Sequence, residues 1–420
     1  MKETIQTKYL IIGAGISGLA FATKLKDESF LIVEKEQEIG GYCKTFKQDG
    51  FTWDYAGHFF HFNNPEIQKQ FSQLLQAPNT VYNDKNTKIY YKDSYVDYPF
   101  QFNIHQLDKD EFIECLCGLF DHPVETGTTG FKEMLYSKLG KGIADKFLIP
   151  YNEKLYSCDL NTLDEDAMGR FFPKADPVEI VKGFQGERLK TYNDEFFYSG
   201  DGAKAFVDAL EDEIDSSKIL TSETVTDIDY EKKIVYTSNK IIQYSKLINT
   251  MPFNQLLDAA NIPHEENYTA NKVLIFNLGF DSAPVDKDIH WIYYPDKSLV
   301  FYRVGFYNNI LRQDRMSLYI EIGLNSNQTV DINEYKTRVL EDLKKVGIVT
   351  THKLISDNSI MMDPAYVHIS EKTQREKDRI KEKMAQKGIY TIGRYGNWTY
   401  CSIEDCIQQA YALFENLKHK

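Results

Sequence analysis

The sequence predicts an α/β protein in which a parallel, doubly wound unit carries an inserted helical lobe and an antiparallel β-sheet lobe. Three observations predict it. The chain opens with a strand, a glycine-rich turn, a helix and a second strand ending in an acid, a compact unit of about 30 residues. Helical patterning occupies residues 108–172. Aromatic, β-rich runs then recur between residues 271 and 323.

The opening run Tyr9-Leu-Ile-Ile-Gly13 is apolar on both faces, as a strand inside a parallel sheet is. Gly13-Ala-Gly15-Ile-Ser17-Gly18 follows, then a helix from Leu19 to Leu25 and a strand from Phe30 to Glu34. Gly13 permits the tight turn. Gly15 lets a pyrophosphate reach backbone N–H groups at the helix start, and Gly18 allows helix and strand to pack closely. Glu34 lies where its carboxylate can accept hydrogen bonds from ribose hydroxyls and repel a 2′-phosphate. These features predict a Rossmann-type dinucleotide-binding domain. The adjacent glycines of Gly40-Gly41-Tyr42-Cys43 extend the chain along the cofactor, a segment typical of flavoproteins of the glutathione-reductase/amine-oxidase class, and they point to FAD. Gly57, in Asp54-Tyr-Ala-Gly57-His58, lets backbone lie beside a flat ring system because it lacks a Cβ. His58 and His61 have no further ligands at metal spacing, so no metal site is expected.

Farther along, residues 87–99 alternate around a Lys92-Asp93-Ser94 turn and predict a hairpin. Pro150 is expected to end or bend the last helix of the helical stretch. Strand alternation returns over 224–250, polar amphipathic helices over 331–347 and 371–387, a short strand from Gly388 to Gly393, and a closing helix over 404–418. The predicted boundaries are 1–86 plus 201–270 plus 386–420 for a discontinuous FAD-binding domain. A helical substrate lobe covers 105–172. A β-sheet substrate domain takes 87–104 plus 173–200 plus 271–385. The stretch from GKGIADKF to LYSCDLNTL is expected to form a mobile loop over the substrate.

Composition narrows the function classes. The chain has 420 residues, 42% hydrophobic and 26% charged, enough for two or three domains with ample core. A net charge of −13 argues against nonspecific nucleic-acid binding and against a basic membrane-surface patch. No apolar run approaches the ~20 residues of a spanning helix. The six cysteines form no CxxC pair and no zinc spacing. A cytoplasmic protein with reduced thiols is therefore expected.

With AGHFFHF at 56–62, VDYPFQFNI at 96–104, GKGIADKFLIPYNEKLYS at 140–157, HWIYYP at 290–295, FYRVGFYNN at 301–309 and IGRYGNWTY at 392–400, the sequence resembles the UDP-galactopyranose mutases. The likeness is to their eukaryotic-type branch, within the flavin amine-oxidase superfamily. The resemblance implies an isomerase in which N5 of reduced FAD attacks the anomeric carbon of a UDP-hexose. UDP leaves, the sugar ring opens and recloses, and UDP returns with no net redox change. It implies an external flavin reductant such as NAD(P)H and a place in glycan biosynthesis; homo-oligomerisation is left open.

Carried over by residue, Gly13, Gly15, Ser17, Gly18, Glu34, Lys35, Gly41, Tyr42, Cys43, Gly57, His58, Gly393, Arg394 and Tyr400 would hold the cofactor. Tyr98, Phe100 and Gln101 match the uracil-binding strand, and Asn152 and Tyr156 the facing helix. Tyr293, Arg303, Tyr366 and Tyr400 match the phosphate-contacting positions. His58, Arg303 and Arg394 are the catalytic candidates. Two positions depart from the family: Phe196 stands where a second arginine is expected, with Arg188 as a nearby substitute, and Glu404 stands where an Asn contacts phosphate or sugar. The alternatives are an FAD-dependent redox enzyme of the amine-oxidase or protoporphyrinogen-oxidase type, and a degenerate FAD-binding protein.

Overall fold

In the computed structural model, residues 2–121, 130–169, 172, 176–184 and 194–418 are described. The strand Glu3–Ile12 is buried from Tyr9 onward because it has strands on both edges. It pairs in parallel with Lys240–Asn249 on one side and with Phe30–Val33 on the other, and Phe30–Val33 passes the sheet on to Ile219–Leu220. The strand Lys240–Asn249 changes partner along its outer edge. Its first half pairs antiparallel with Ile234–Thr237, which pairs with Val225–Asp229, and its last three residues pair in parallel with Ile389–Thr391. Start, middle and end of the chain thus build one Rossmann-like sheet.

The helix Ile16–Ala22 is buried along its whole length. It packs against Ile403–Lys418 and Lys204–Glu211 in an apolar cluster that includes Leu19, Phe21, Phe206, Val207, Ile407 and Ala410.

The second sheet runs in the order Leu354–Met362, Lys272–Phe280, Ser317–Leu324, Arg303–Phe306, Trp291–Tyr293, Thr87–Tyr91 and Ser94–Asp97. It is antiparallel except for one parallel pairing, Thr87–Tyr91 with Trp291–Tyr293. The hairpin turn has Lys92 and Asp93 at φ 48° and 59°, the left-handed pair that a two-residue loop requires.

The segment near 176–200 does not join this sheet, contrary to expectation. Pro177–Gly183 is a helix, capped by reciprocal bonds between Asp176 and Glu179. Glu195–Ser199 pairs with Thr80–Asp84 in a separate ribbon. The reason lies in its two apolar faces: Phe196 and Tyr198 enter an aromatic cluster with Trp53, Phe59 and Trp291, while Phe197 packs on the other side with Phe60 and Phe206.

The helical lobe holds Lys109–Phe120, Phe131–Ile143 and Ile149–Tyr156, the last two joined by a wide π-helical turn at Ala144–Leu148. Pro150 does not end a helix here. It follows directly on the π-helical turn, and the backbone stays helical through Leu148 and Ile149, so the wide turn accommodates the proline inside a continuing helix. The expected mobile loop is also absent. Ile143, Phe147, Leu148, Leu155, Leu160 and Leu163 from that stretch are all buried in the largest core cluster, so the segment, helical as far as Tyr156, is held by packing. Among the described residues, no helix is long and apolar enough to cross a membrane.

Candidate functional site

The glycine turn is built as a cradle. Gly13 has φ +97°, and a Cβ on it would lie 2.3 Å from the Thr250 hydroxyl. A Cβ on Gly18 would lie 2.1 Å from the Gly13 carbonyl oxygen. Gly15 differs, because the nearest atom to its would-be Cβ is the Gly41 Cα at 3.8 Å. Nothing in the protein's own packing therefore demands glycine there, which fits a position kept bare for a ligand. Gly15 bridges to Gly40, so the two glycine segments lie side by side. Glu34, buried at the end of its strand, accepts from the Ala14 N–H (2.8 Å) and the Glu36 N–H (3.0 Å) and is locked at the rim. Gly393, at φ +81°, sits against the Ser17 hydroxyl, which brings the C-terminal loop onto the cradle.

The Tyr42 hydroxyl accepts from the Asp363 N–H (3.0 Å), and Cys43 is buried. Lys35 points to solvent and pairs with Glu36 at 3.7 Å. The cradle fits a dinucleotide: open backbone at Gly15 and Gly41, a helix start at Ile16 and a fixed acid for the ribose.

Strand register assembles the second half of the site. Tyr293 lies opposite Arg303, and Arg303 lies opposite Glu321, so three strands present these side chains in one row. The Glu321 carboxylate is buried. It binds the Arg303 guanidinium and accepts a hydrogen bond from the Tyr302 hydroxyl (2.5 Å). The Glu321 carboxylate, itself held by Tyr302, thus fixes one end of Arg303, yet the Nε of Arg303 is buried without a partner. Arg394 lies over the rings of Tyr400 (4.6 Å) and Tyr366 (5.1 Å), which stack on each other at 5.9 Å, and Tyr366 is within electrostatic reach of Arg303 as well. Its Nε is also buried and unpartnered. Trp398, buried at φ +46°, is a strained residue that helps turn the chain so that Tyr400 faces this pair.

His58 completes the convergence. Burial, then the positive charge of Arg394 and that of Arg303, push its pKa down to about 4. Its Nδ1 has no partner. Tyr156, packed edge-on against Tyr366, has an unpartnered hydroxyl, and Asn152 donates to the Leu148 carbonyl (2.7 Å) while its Oδ1 is unpartnered. Tyr98 lies 5.1 Å from Tyr293, and Gln101 is buried nearby in sequence. Buried polar atoms are normally satisfied. Orphans on His58, Asn152, Tyr156, Arg303 and Arg394 therefore mark a cleft built for a polar ligand.

Because His58 is held neutral, its sign in acid follows. Between about pH 6.5 and 4 the unfolded chain takes up a proton that the native site refuses, so stability is lost as pH falls. Urea unfolding at pH 7 and pH 4.5 should show wild type losing ground to His58→Gln over that interval. An unchanged difference would mean that His58 titrates normally.

Several of the positions singled out in the sequence make close contacts with protein. Phe100 is fully buried and stacked on Phe147 (5.4 Å). Gly57 makes room for protein, since a Cβ there would lie 2.6 Å from the Tyr319 hydroxyl. Phe196 is fully buried, 4.9 Å from Phe59. Arg188 lies outside the described residues. Glu404 is turned into the protein: its Oε1 accepts from the N–H groups of Asn63 (2.8 Å) and Asn64 (2.7 Å). Its charge is thereby engaged by backbone.

Other site residues carry no sequence signal. Glu321 and Tyr302 are found only through register and packing. Tyr319, wedged against Gly57 and Gly305, has a buried hydroxyl without a partner and lies under Arg303 at 5.8 Å. Asp54 anchors the segment leading to His58. It accepts from the Thr45 hydroxyl (2.5 Å), the Tyr198 hydroxyl (2.6 Å) and the Ala203 N–H (3.1 Å), while burial pushes its pKa up to about 6.

Comparison with known proteins bears on this geometry. The family described as an NAD(P)-binding Rossmann-like domain matches residues 11–74. Among curated proteins, the corticosteroid-binding protein of Candida albicans is 36% identical over 104 residues, covering 21% of this chain and 21% of that protein. The zeta-carotene-forming phytoene desaturase of Myxococcus xanthus is 43% identical over 49 residues, covering 11% of this chain and 10% of that protein. The matches thus span about a fifth or less of these relatives' length. Among solved structures, reduced UDP-galactopyranose mutase superposes with a TM-score of 0.91 at 21% identity, covering 98% of this chain and 94% of that one. A protein of Exiguobacterium sp. 255-15 described as a protoporphyrinogen oxidase superposes with a TM-score of 0.79 at 17% identity, covering 98% and 99%. The chain has the fold of these structures over nearly its whole length.

Proposed function

We propose that this protein is an FAD-dependent nucleotide-sugar mutase that interconverts the pyranose and furanose forms of a UDP-hexose, UDP-galactose or a close analogue. The observation that carries this reading is the row Tyr293–Arg303–Glu321 with Arg394, Tyr366 and Tyr400 gathered within electrostatic reach of it. Two permanently charged guanidiniums with free N–H groups, walled by tyrosines, suit a diphosphate. The mutase fold supports the same reading.

Bound FAD, in its reduced form, would supply the nucleophile for the anomeric carbon. Gly15, Gly41, Glu34 and Ser17 would hold that cofactor. Arg303 and Tyr293, with Arg394, Tyr366 and Tyr400, would bind the diphosphate and stabilise it as a leaving group. Tyr98, Gln101, Asn152 and Tyr156 would line the nucleoside end. His58, neutral beside two arginines, can accept a hydrogen bond without adding charge. In this reading the protein works in the cytoplasm with an external reductant such as NAD(P)H.

A second reading, a flavin redox enzyme of the amine-oxidase or protoporphyrinogen-oxidase type, is favoured by the desaturase match and by the oxidase-like fold neighbour. One experiment separates them. Dithionite-reduced protein is incubated with UDP-galactofuranose and the products are chromatographed, beside an oxidised sample. Conversion to the pyranose form only in the reduced sample is expected. No conversion in either sample would sink the mutase reading, and hydrogen peroxide release with amine or porphyrinogen substrates would establish the redox one.

A further inference from the structure

Cys401 and Cys406 bring their sulfurs to 3.6 Å without a bond between them. Among the described residues no other two cysteines make such a contact. The pair is held by a rigid turn. Between the two cysteines, the Ser402 N–H and hydroxyl donate to the Asp405 carboxylate (2.8 and 2.9 Å), and the Asp405 N–H donates back to the Ser402 hydroxyl (3.1 Å). Cys406 lies in the first turn of the 16-residue helix Ile403–Lys418, where the positive end of the helix dipole favours a thiolate. The Cys401 thiol, the Ser17 hydroxyl and the Arg394 backbone and charge all lower its pKa further, against burial. Coupling to that thiolate and burial raise the Cys401 pKa instead. One sulfur is thus the nucleophile and the other its neighbour in waiting. As whole residues, Cys406 is half-buried and Cys401 buried.

We propose that Cys401 and Cys406 are a redox-active thiol pair that closes to an intramolecular disulfide with a small-molecule disulfide as oxidant. The Cys406 thiolate attacks one sulfur of the reagent. The reagent's S–S bond breaks, a mixed disulfide forms and one thiolate leaves. Cys401, losing its proton to that thiolate, attacks the Cys406 sulfur and expels the second thiolate. Two cysteine thiols are oxidised and one reagent disulfide is reduced to two thiols. Tyr400 is next in the chain to Cys401, and Arg394 touches Cys406, so closure acts on the ring–guanidinium pair of the cleft. The proposal does not depend on the identity of the cofactor or the substrate.

The test uses the protein as purified, equilibrated with oxidised glutathione, alkylated under denaturing conditions and cut with trypsin. The peptide spanning 395–418 contains both cysteines. It should appear unalkylated and lighter by two hydrogens, and dithiothreitol should restore its alkylation. Cys401→Ser should stop at a glutathione adduct on Cys406, whereas Cys406→Ser should leave Cys401 free. Exposed Cys117 reports that the reagent is active. A fully alkylated 395–418 peptide from wild type in which Cys117 carries glutathione overturns the proposal, as does a bond between Cys406 and Cys43.

Discussion

Arg303→Met is expected to erase the stabilisation by UDP that the proposed function predicts for the wild-type protein. A ligand at a hundred times its Kd that binds only the folded state adds about 2.7 kcal/mol to unfolding. Arg303 is the side chain placed by register between Tyr293 and Glu321, with an N–H to spare. The single variant has a second effect that must be separated from the first. It leaves the Glu321 carboxylate, 1% exposed, without its cation. Breaking a buried pair in this way costs about 3–5 kcal/mol. Adding Glu321→Gln removes the stranded charge and keeps an acceptor for the Tyr302 hydroxyl, so the double variant should recover much of that loss. It should still ignore UDP. Urea unfolding of the wild type, the single variant and the double variant, each with and without millimolar UDP, checks both halves. A UDP response that survives in the double variant would remove Arg303 from the binding site.

Two alanine substitutions only three residues apart should fail in opposite ways. Gly18→Ala puts a methyl group 2.1 Å from the Gly13 carbonyl oxygen and 3.2 Å from the Ile11 side chain. Neither can yield freely, because the Gly13 N–H is bonded to Val33 (2.8 Å) and Ile11 lies in the central strand. Overpacking of this kind costs about 1–3 kcal/mol, and the expected product is a destabilised protein that also fails to retain the flavin the proposed function requires. Gly15→Ala meets only ordinary contacts, the nearest at 3.8 Å, and its backbone has φ −80°, which alanine accepts. That variant should unfold like wild type and yet purify colourless, since its methyl group stands where the pyrophosphate would lie. Visible absorbance of the purified proteins, set against their urea midpoints, checks the pair. A yellow Gly15→Ala protein would move the cofactor away from this cradle.

The cradle was readable in the sequence because its chemistry is local. Gly13, Gly15, Gly18 and Glu34 belong to one strand–turn–helix–strand unit, where spacing along the chain is nearly spacing in three dimensions. The hairpin at Lys92-Asp93 was readable for the same reason. The segment Glu195–Ser199 was not, because a strand apolar on both faces matches either of two partners, and tertiary packing chose Thr80–Asp84. Pro150 left two outcomes open, since a proline either ends or bends a helix, and only the π-helical turn before it shows that the helix continues past it.

Local pattern alone determined the parallel nucleotide unit, the order of helical and sheet segments and the absence of a metal-ligand spacing in the chain. Tertiary structure decided which charges meet. Glu321 finds Arg303 through cross-strand register, and Glu404, which in sequence faces the cleft with an unwelcome charge, turns to the N–H groups of Asn63 and Asn64. A carboxylate's effect depends on what lies within a few ångströms of it. For residues far apart in the chain, that is set by how strands pair and helices pack, and no spacing rule along the sequence encodes it.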